Sequence, residues 1–118
     1  VRSALVPDLL FAAHSAPLGM VFYEGDSFPA HYKGDAFVAL HGSWNAAKPA
    51  GYAVAHVPFR DGKPTGDYEI FAAGFWVEGD NPPIVWGRPA GLAVLQDGSL
   101  IIADDVGGTL WRISSDKK

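Results

Sequence analysis

Gly91-Leu92-Ala93-Val94-Leu95-Gln96-Asp97-Gly98-Ser99-Leu100-Ile101-Ile102-Ala103-Asp104-Asp105-Val106-Gly107-Gly108-Thr109-Leu110-Trp111-Arg112-Ile113 reads as three short strands and two tight reversals. The runs Gly91 to Leu95, Leu100 to Asp104 and Thr109 to Ile113 are rich in residues that fill a pleated, half-buried surface. Between the first two, Gln96-Asp97-Gly98 supplies an aspartate that can bond its own backbone and a glycine that accepts a positive φ, the strongest hairpin signal in the chain. Val106-Gly107-Gly108 turns the chain again before the third run. The stretch therefore predicts a three-stranded antiparallel unit.

The same grammar continues upstream. Met20 to Tyr23, Ala36 to Leu40, Tyr52 to Phe59 and Glu69 to Ala73 are further apolar runs, with Glu24-Gly25-Asp26 and Arg60-Asp61-Gly62-Lys63-Pro64 among the turns that separate them. No window of about twelve residues keeps an i, i+3, i+4, i+7 apolar spacing free of Gly and Pro, so long amphipathic helices are not expected. Within Val1 to Ala13, Pro7-Asp8-Leu9-Leu10-Phe11 reads as an entering strand or a linker. Turn signals about every ten residues suit either a sandwich or a propeller. Grouping favours the propeller: four runs lie between Met20 and Ala73, then a loop with Gly79, Asn81-Pro82-Pro83 and Gly87, then the last three. Four plus three is the count for one complete blade and a last blade lacking its fourth strand. In many closed propellers that strand comes from the N-terminal end of the full chain and removes the exposed edge. The expectation is an all-β fold of antiparallel sheets, about two blades of a propeller. Residues 1–118 then form a single C-terminal segment, with about 19–73 as one blade and 88–114 as the incomplete last one. An independent seven-stranded sandwich is the alternative.

Composition narrows the function classes. The 118 residues are 48% apolar and 19% charged, as in a soluble globular domain. A formal charge of −4 without a Lys/Arg cluster gives nothing to neutralise a row of phosphates, so no nucleic-acid partner is expected. There is no cysteine, which removes disulfides and thiolate chemistry, and no apolar run of the roughly 18 residues a membrane span needs. The opening lacks a signal-peptide pattern, but a chain starting at Val1 leaves export open. A free segment of this kind would expose blade faces and strand edges, so self-association is expected.

Four stretches, in order, resemble the closing region of the pyrroloquinoline quinone (PQQ)-dependent sorbosone/glucose dehydrogenase family. They are His14-Ser15-Ala16-Pro17-Leu18-Gly19 running into Met20-Val21-Phe22-Tyr23; Phe28-Pro29 to Gly34; His41-Gly42-Ser43-Trp44-Asn45 with Gly51-Tyr52 and Val57-Pro58-Phe59; and Gly87-Arg88-Pro89-Ala90-Gly91-Leu92 with Asp97-Gly98-Ser99-Leu100 and Ala103 to Ile113. Asp-Gly-Ser-Leu occurs in many propellers. His-Gly-Ser-Trp-Asn with Gly-Arg-Pro and Ala-Asp-Asp downstream is more specific and is similar to the sorbosone dehydrogenase branch. The resemblance implies a six-bladed parent that holds PQQ with calcium over a central channel and oxidises a sugar hydroxyl or aldehyde, passing electrons to a respiratory acceptor. It further implies a periplasmic or secreted location. The catalytic histidine and most calcium groups would come from earlier blades, so no catalytic residue is assigned here and the isolated segment is expected to be inactive. A non-catalytic propeller segment acting as a carbohydrate- or protein-binding scaffold is the competing expectation.

PQQ is a flat tricarboxylate, so its site needs cationic or N–H donors, a flat partner for the ring and a base near the quinone. Arg88, between a Gly87 turn and a strand start, is the leading candidate, with a fork able to take a carboxylate in two bonds; the bland alternative is a surface arginine. His14 precedes a Ser-Ala-Pro loop that matches a cofactor-contacting loop in the family, although lone histidines are more often structural. His41, Trp44 and Asn45 follow an apolar run, where Trp44 could stack and the other two could donate, or the group could simply pack. The glucose dehydrogenase branch has a lysine near this point, where this chain offers only Lys48 further along. Asp104 with Asp105 suggests ligand contact, against the plainer reading of a turn that caps backbone N–H groups. Trp111, Trp76 and Trp86 read mostly as packing, with Trp76 and Trp86 placed to line a sugar cleft. His31 and His56 have no metal-ligand spacing, and no metal site is assigned to this chain.

Overall fold

A computed structural model describes residues 5–43, 50–78 and 84–115. In chain order the strands are β1 (Pro17–Phe22), β2 (Ala36–Leu40), β3 (Ala53–Val57), β4 (Phe59–Arg60), β5 (Lys63–Pro64), β6 (Glu69–Ala72), β7 (Trp76–Glu78), β8 (Ile84–Val85), β9 (Pro89–Val94), β10 (Leu100–Asp104) and β11 (Thr109–Ile113). A 3-10 turn at Ala30–Tyr32 is the only helical element among the described residues. β1-β2-β3-β6 form a four-stranded antiparallel sheet and β11-β10-β9 a three-stranded one. The expected four-plus-three division is therefore present, as two blade-like sheets.

Two details depart from the sequence reading. The run Tyr52 to Phe59 breaks at Pro58, which has no N–H to give to a ladder; Phe59–Arg60 turns out to pair with Lys63–Pro64 in a separate small hairpin. The long loop before Arg88 contains a further hairpin, β7 with β8, closed by Trp86 N–H donating to the Phe75 carbonyl at 2.6 Å. Its members are too short to stand out from periodicity. Of the two readings given for the opening segment, its described part is not the strand: Leu9 and Phe11 pack on the outer face of the first sheet.

Period-two geometry explains this covering. β2 and β3 are buried along their whole length, so both faces need partners. Ala36, Val38, Leu40, Ala55 and Val57 point one way, toward Leu9, Phe11, Phe59 and Tyr68. Phe37 and Val54 point the other way and join Tyr23, Phe28, Leu100 and Ile102 in a core shared by the two sheets. Tyr23 ties the sheets by polarity as well: its hydroxyl donates to the Gly98 carbonyl at 2.8 Å and accepts the N–H groups of Ser27 and Phe28.

His56, on β3, belongs to this inner face. Its Nδ1 lies 2.7 Å from Glu69 Oε1 and its Nε2 lies 2.8 Å from Asp35 Oδ2, while Asp35 Oδ1 accepts the Phe59 N–H. The group holds the start of β2 to β3 and β6 with no buried polar side-chain atom left unpaired among the described residues.

Candidate functional site

The opposite end of β2 brings the sequence candidates together. His41 N–H donates to the Ala16 carbonyl and Gly42 N–H to the Ser15 carbonyl, which lays the His14 loop against the His41 segment. His14 and Ala16 both adopt positive φ, 67° and 54°, a conformation that costs non-glycine residues energy and is held here by those two bonds. A Cβ on Gly51 would lie 2.7 Å from Ser15 O and from Gly42 Cα, so only a glycine lets the three backbones meet. Ser43 and Tyr52 complete the corner: the Tyr52 hydroxyl donates to the Ser43 carbonyl, and Ser43 Oγ accepts the Ala50 N–H at 3.0 Å.

Arg88 closes this corner from the second sheet. Its Nε donates to the His41 carbonyl at 3.0 Å, and its Nη2 donates to the carbonyls of Gly42 and Ser43. Its guanidinium carbon lies 5.5 Å from the centre of the Tyr52 ring, within cation–π range. The Nε/Nη2 edge of the fork is thus committed to backbone, and Nη1 is the part left without a partner among the described residues.

Asp104 sets the position of Arg88. Its Oδ1 accepts the backbone N–H groups of Arg88 at 2.9 Å, Val106 at 3.1 Å and Gly107 at 2.9 Å, and the Trp111 indole N–H points at Oδ2 from 3.4 Å. Burial opposes the charge on Asp104, but the N–H groups of Gly107 and Arg88, the indole and Val106 together outweigh it and hold the carboxyl below its usual range. The capping role accounts for the surroundings of both its oxygens. Asp105 differs: its side chain is 59% exposed, and its Oδ1 lies 2.7 Å from His41 Nε2.

Arg88, His41 and the backbone of the His14 loop therefore converge, with Asp104 beneath Arg88. The His14 ring is exposed. Trp44 and Asn45, with Lys48, lie outside the described residues. Sequence reasoning named Asp105 only beside Asp104 as a ligand contact and missed Ser43 and Tyr52; Gly-Tyr beside the His-Gly-Ser segment was the available signal for Tyr52, whereas nothing in the sequence pairs positions 41 and 105. Among the described residues no group of three or more His, Asp or Glu side chains could hold a metal ion. Two concavities lie elsewhere. An apolar groove of about 460 Å³ is lined by Phe75, Trp86, Ile102 and Trp111, and a more polar basin of about 620 Å³ lies around His56. Neither includes Arg88 or His41. Trp86 does line a cleft, but an apolar one; Trp76 is half exposed on β7. No helix among the described residues is long and apolar enough to cross a membrane.

Two antiparallel blade-like sheets with a shared core have the arrangement of a β-propeller segment. The chain belongs to the TrAA12-like family, which matches residues 2–116. It is 36% identical over 106 residues to an uncharacterized protein of Borreliella burgdorferi, covering 89% of this chain and 27% of that one. Over 56 residues it is 45% identical to the pyrroloquinoline quinone-dependent pyranose dehydrogenase of Coprinopsis cinerea, covering 48% of this chain and 7% of that enzyme. The holo form of the PQQ domain of the Coprinopsis enzyme superposes with a TM-score of 0.69 at 29% identity, over 96% of this chain and 30% of that one. The calcium structure of a Trichoderma reesei family AA12 carbohydrate-active enzyme shares the fold, with a TM-score of 0.70 at 23% identity, over 94% of this chain and 27% of that one. The chain thus spans less than a third of each of these relatives.

Proposed function

We propose that this chain is the closing two-blade segment of a PQQ-dependent dehydrogenase that oxidises a sugar hydroxyl or aldehyde, and that it furnishes one wall of the cofactor site. The single observation that carries the reading is the convergence of Arg88, His41 and the His14 loop on one corner, in a chain of the TrAA12-like family. The residues fit an anionic planar ligand in a limited way: Arg88 keeps Nη1 for a carboxylate, and His41 is partly exposed with one ring nitrogen unpaired among the described residues. When bound, PQQ supplies the two-electron acceptor. The chain's own part is to hold and orient: Asp104 fixes Arg88, and Arg88 fixes the His41–Ser43 backbone.

The sorbosone or glucose type, a respiratory electron acceptor, a periplasmic or secreted setting and calcium ligands on other blades belong to this proposal. So does the division into a blade at about 19–73 and an incomplete last blade at 88–114. The segment alone is proposed to be inactive, since no base for the reaction is assigned to it.

One observation favours a second reading, a non-catalytic scaffold: three of the guanidinium donors of Arg88 serve backbone carbonyls, as a purely structural arginine would. Titration of the 118-residue chain with PQQ and calcium, followed by absorbance, tests the proposal. Saturable binding that falls at least tenfold in Arg88→Lys, where the stability loss is smaller than in Arg88→Ala, supports it. Binding indifferent to Arg88, or no binding by a chain carrying all six blades, favours the scaffold.

A further inference from the structure

The structure assigns to Asp105 the role of positioning His41, so that the ring offers Nδ1 as a hydrogen-bond acceptor to a ligand hydroxyl or N–H. This inference rests on the proposed cofactor and sugar site, which it deepens. An ionised carboxylate can only accept, so the 2.7 Å contact between His41 Nε2 and Asp105 Oδ1 requires the proton to sit on Nε2. In the neutral ring that leaves the Nδ1 lone pair, and Nδ1 has no partner among the described residues. The arrangement follows the general logic in which a carboxylate fixes the tautomer and orientation of an imidazole whose other nitrogen does the work.

Exposure and context separate this pair from an incidental surface contact. The His41 side chain is 17% exposed and that of Asp105 is 59% exposed. The ring therefore sits at the border of the corner, while the carboxylate reaches over from another strand end. The His41 backbone is pinned on both sides, by Ala16 through its N–H and by Arg88 through its carbonyl. Only the side chain has freedom left, and Asp105 removes it. The Asp105 carboxylate makes no other hydrogen bond among the described residues, so it has no visible structural duty apart from His41.

The chemistry is complementary to Arg88. Arg88 Nη1 donates and suits a carboxylate; a neutral His41 Nδ1 accepts and suits a hydroxyl or an N–H, refusing an ionised carboxylate. A ligand carrying both kinds of group, such as a heteroaromatic carboxylate with a ring N–H or a polyhydroxylated sugar beside one, would be read in a defined orientation.

Nitrogen NMR of the 118-residue chain with labelled histidines tests this directly. At a pH where His41 is neutral, the expected result is the Nε2–H tautomer at His41, lost to a mixture in Asp105→Ala and retained in Asp105→Asn, whose amide oxygen still accepts. A mixed or Nδ1–H tautomer in the wild type, or one unchanged in Asp105→Ala, overturns the inference. Because Asp105 is largely exposed, both variants should keep the wild-type circular dichroism. On adding PQQ with calcium, the Nδ1 resonance of His41 should move in the wild type, and Asp105→Ala should bind about tenfold more weakly, with Asp105→Asn between them. Binding that leaves Nδ1 unmoved overturns the acceptor role. Failure of a chain carrying all six blades to bind PQQ would count against the proposed cofactor, and the tautomer result would still decide whether Asp105 positions His41.

Discussion

Gly87 makes room for Asp104: a Cβ on Gly87 would overlap the Asp104 carboxylate, most closely at Oδ2, beside the Oδ1 that takes the Arg88 N–H. The absence of a side chain at position 87 is what lets a buried aspartate reach the turn before β9. Gly87→Ala is therefore expected to push Asp104 away from the N–H groups of Arg88, Val106 and Gly107. The cost should be about 1–3 kcal/mol, typical of unsatisfied buried donors, read as a lower urea midpoint. A variant with wild-type midpoint would show that the turn relaxes without losing the cap.

Acid sensitivity should arise largely from two aspartates. Asp97 is held down to about 2 by the Ser99 hydroxyl and N–H and by Arg112, and Asp104 is also lowered, as its backbone donors outweigh its burial. A carboxylate whose folded value lies below its unfolded one stabilises the fold above the unfolded value and loses that contribution as pH falls through the folded one. For Asp97 the window runs from the ordinary value of 3.8 down to about 2. Asp97→Asn should lower stability above pH 5 or so without changing its slope there, and flatten the profile within the window. Thermal melts across that range check it; an unaltered acid slope would contradict the assignment.

Tyr23 carries much of the polar link between the sheets, since one hydroxyl serves Gly98 O, Ser27 N–H and Phe28 N–H. Tyr23→Phe keeps the stacking on Phe28 and removes only the oxygen. The expected loss is about 1–3 kcal/mol, with faster amide exchange at Ser27 and Phe28. Exchange rates equal to those of the wild type would mean that water replaces the hydroxyl at no cost.

One face of the edge strand β1 presents Leu18, Met20 and Phe22, which are 61%, 54% and 47% exposed, and Leu110 on β11 is 71% exposed. Apolar residues alternating along an edge strand invite pairing with another copy. Sedimentation at tens of micromolar (about 50 µM) should show association, and Leu18→Lys with Met20→Lys should reduce it. A single monomer at every concentration would argue that these faces are not sticky enough to drive assembly.

Much of this was legible in the chain. Strong turns such as Gln96-Asp97-Gly98 and apolar runs such as Ala36 to Leu40 fixed the strands of both sheets, because period-two burial and turn dihedrals are local properties. The short β7 and β8 pair was not legible, since its strands of three and two residues carry no periodicity. Arg88, His14 and His41 were recognisable as site candidates by motif. Their contacts were not.

What the sequence by itself determined is the all-β character, the four-plus-three grouping and the residue types available to the site, all of which follow from near-neighbour chemistry. Only the tertiary structure decided that the fork of Arg88 is mostly spent on the His41–Ser43 carbonyls, that Asp104 is a cap, and that Asp105 holds His41 across 64 residues of chain. The reason is physical: a strand's own pattern says which face is buried, but which side chain meets which across two sheets depends on how the sheets pack, and that is not written in any one segment.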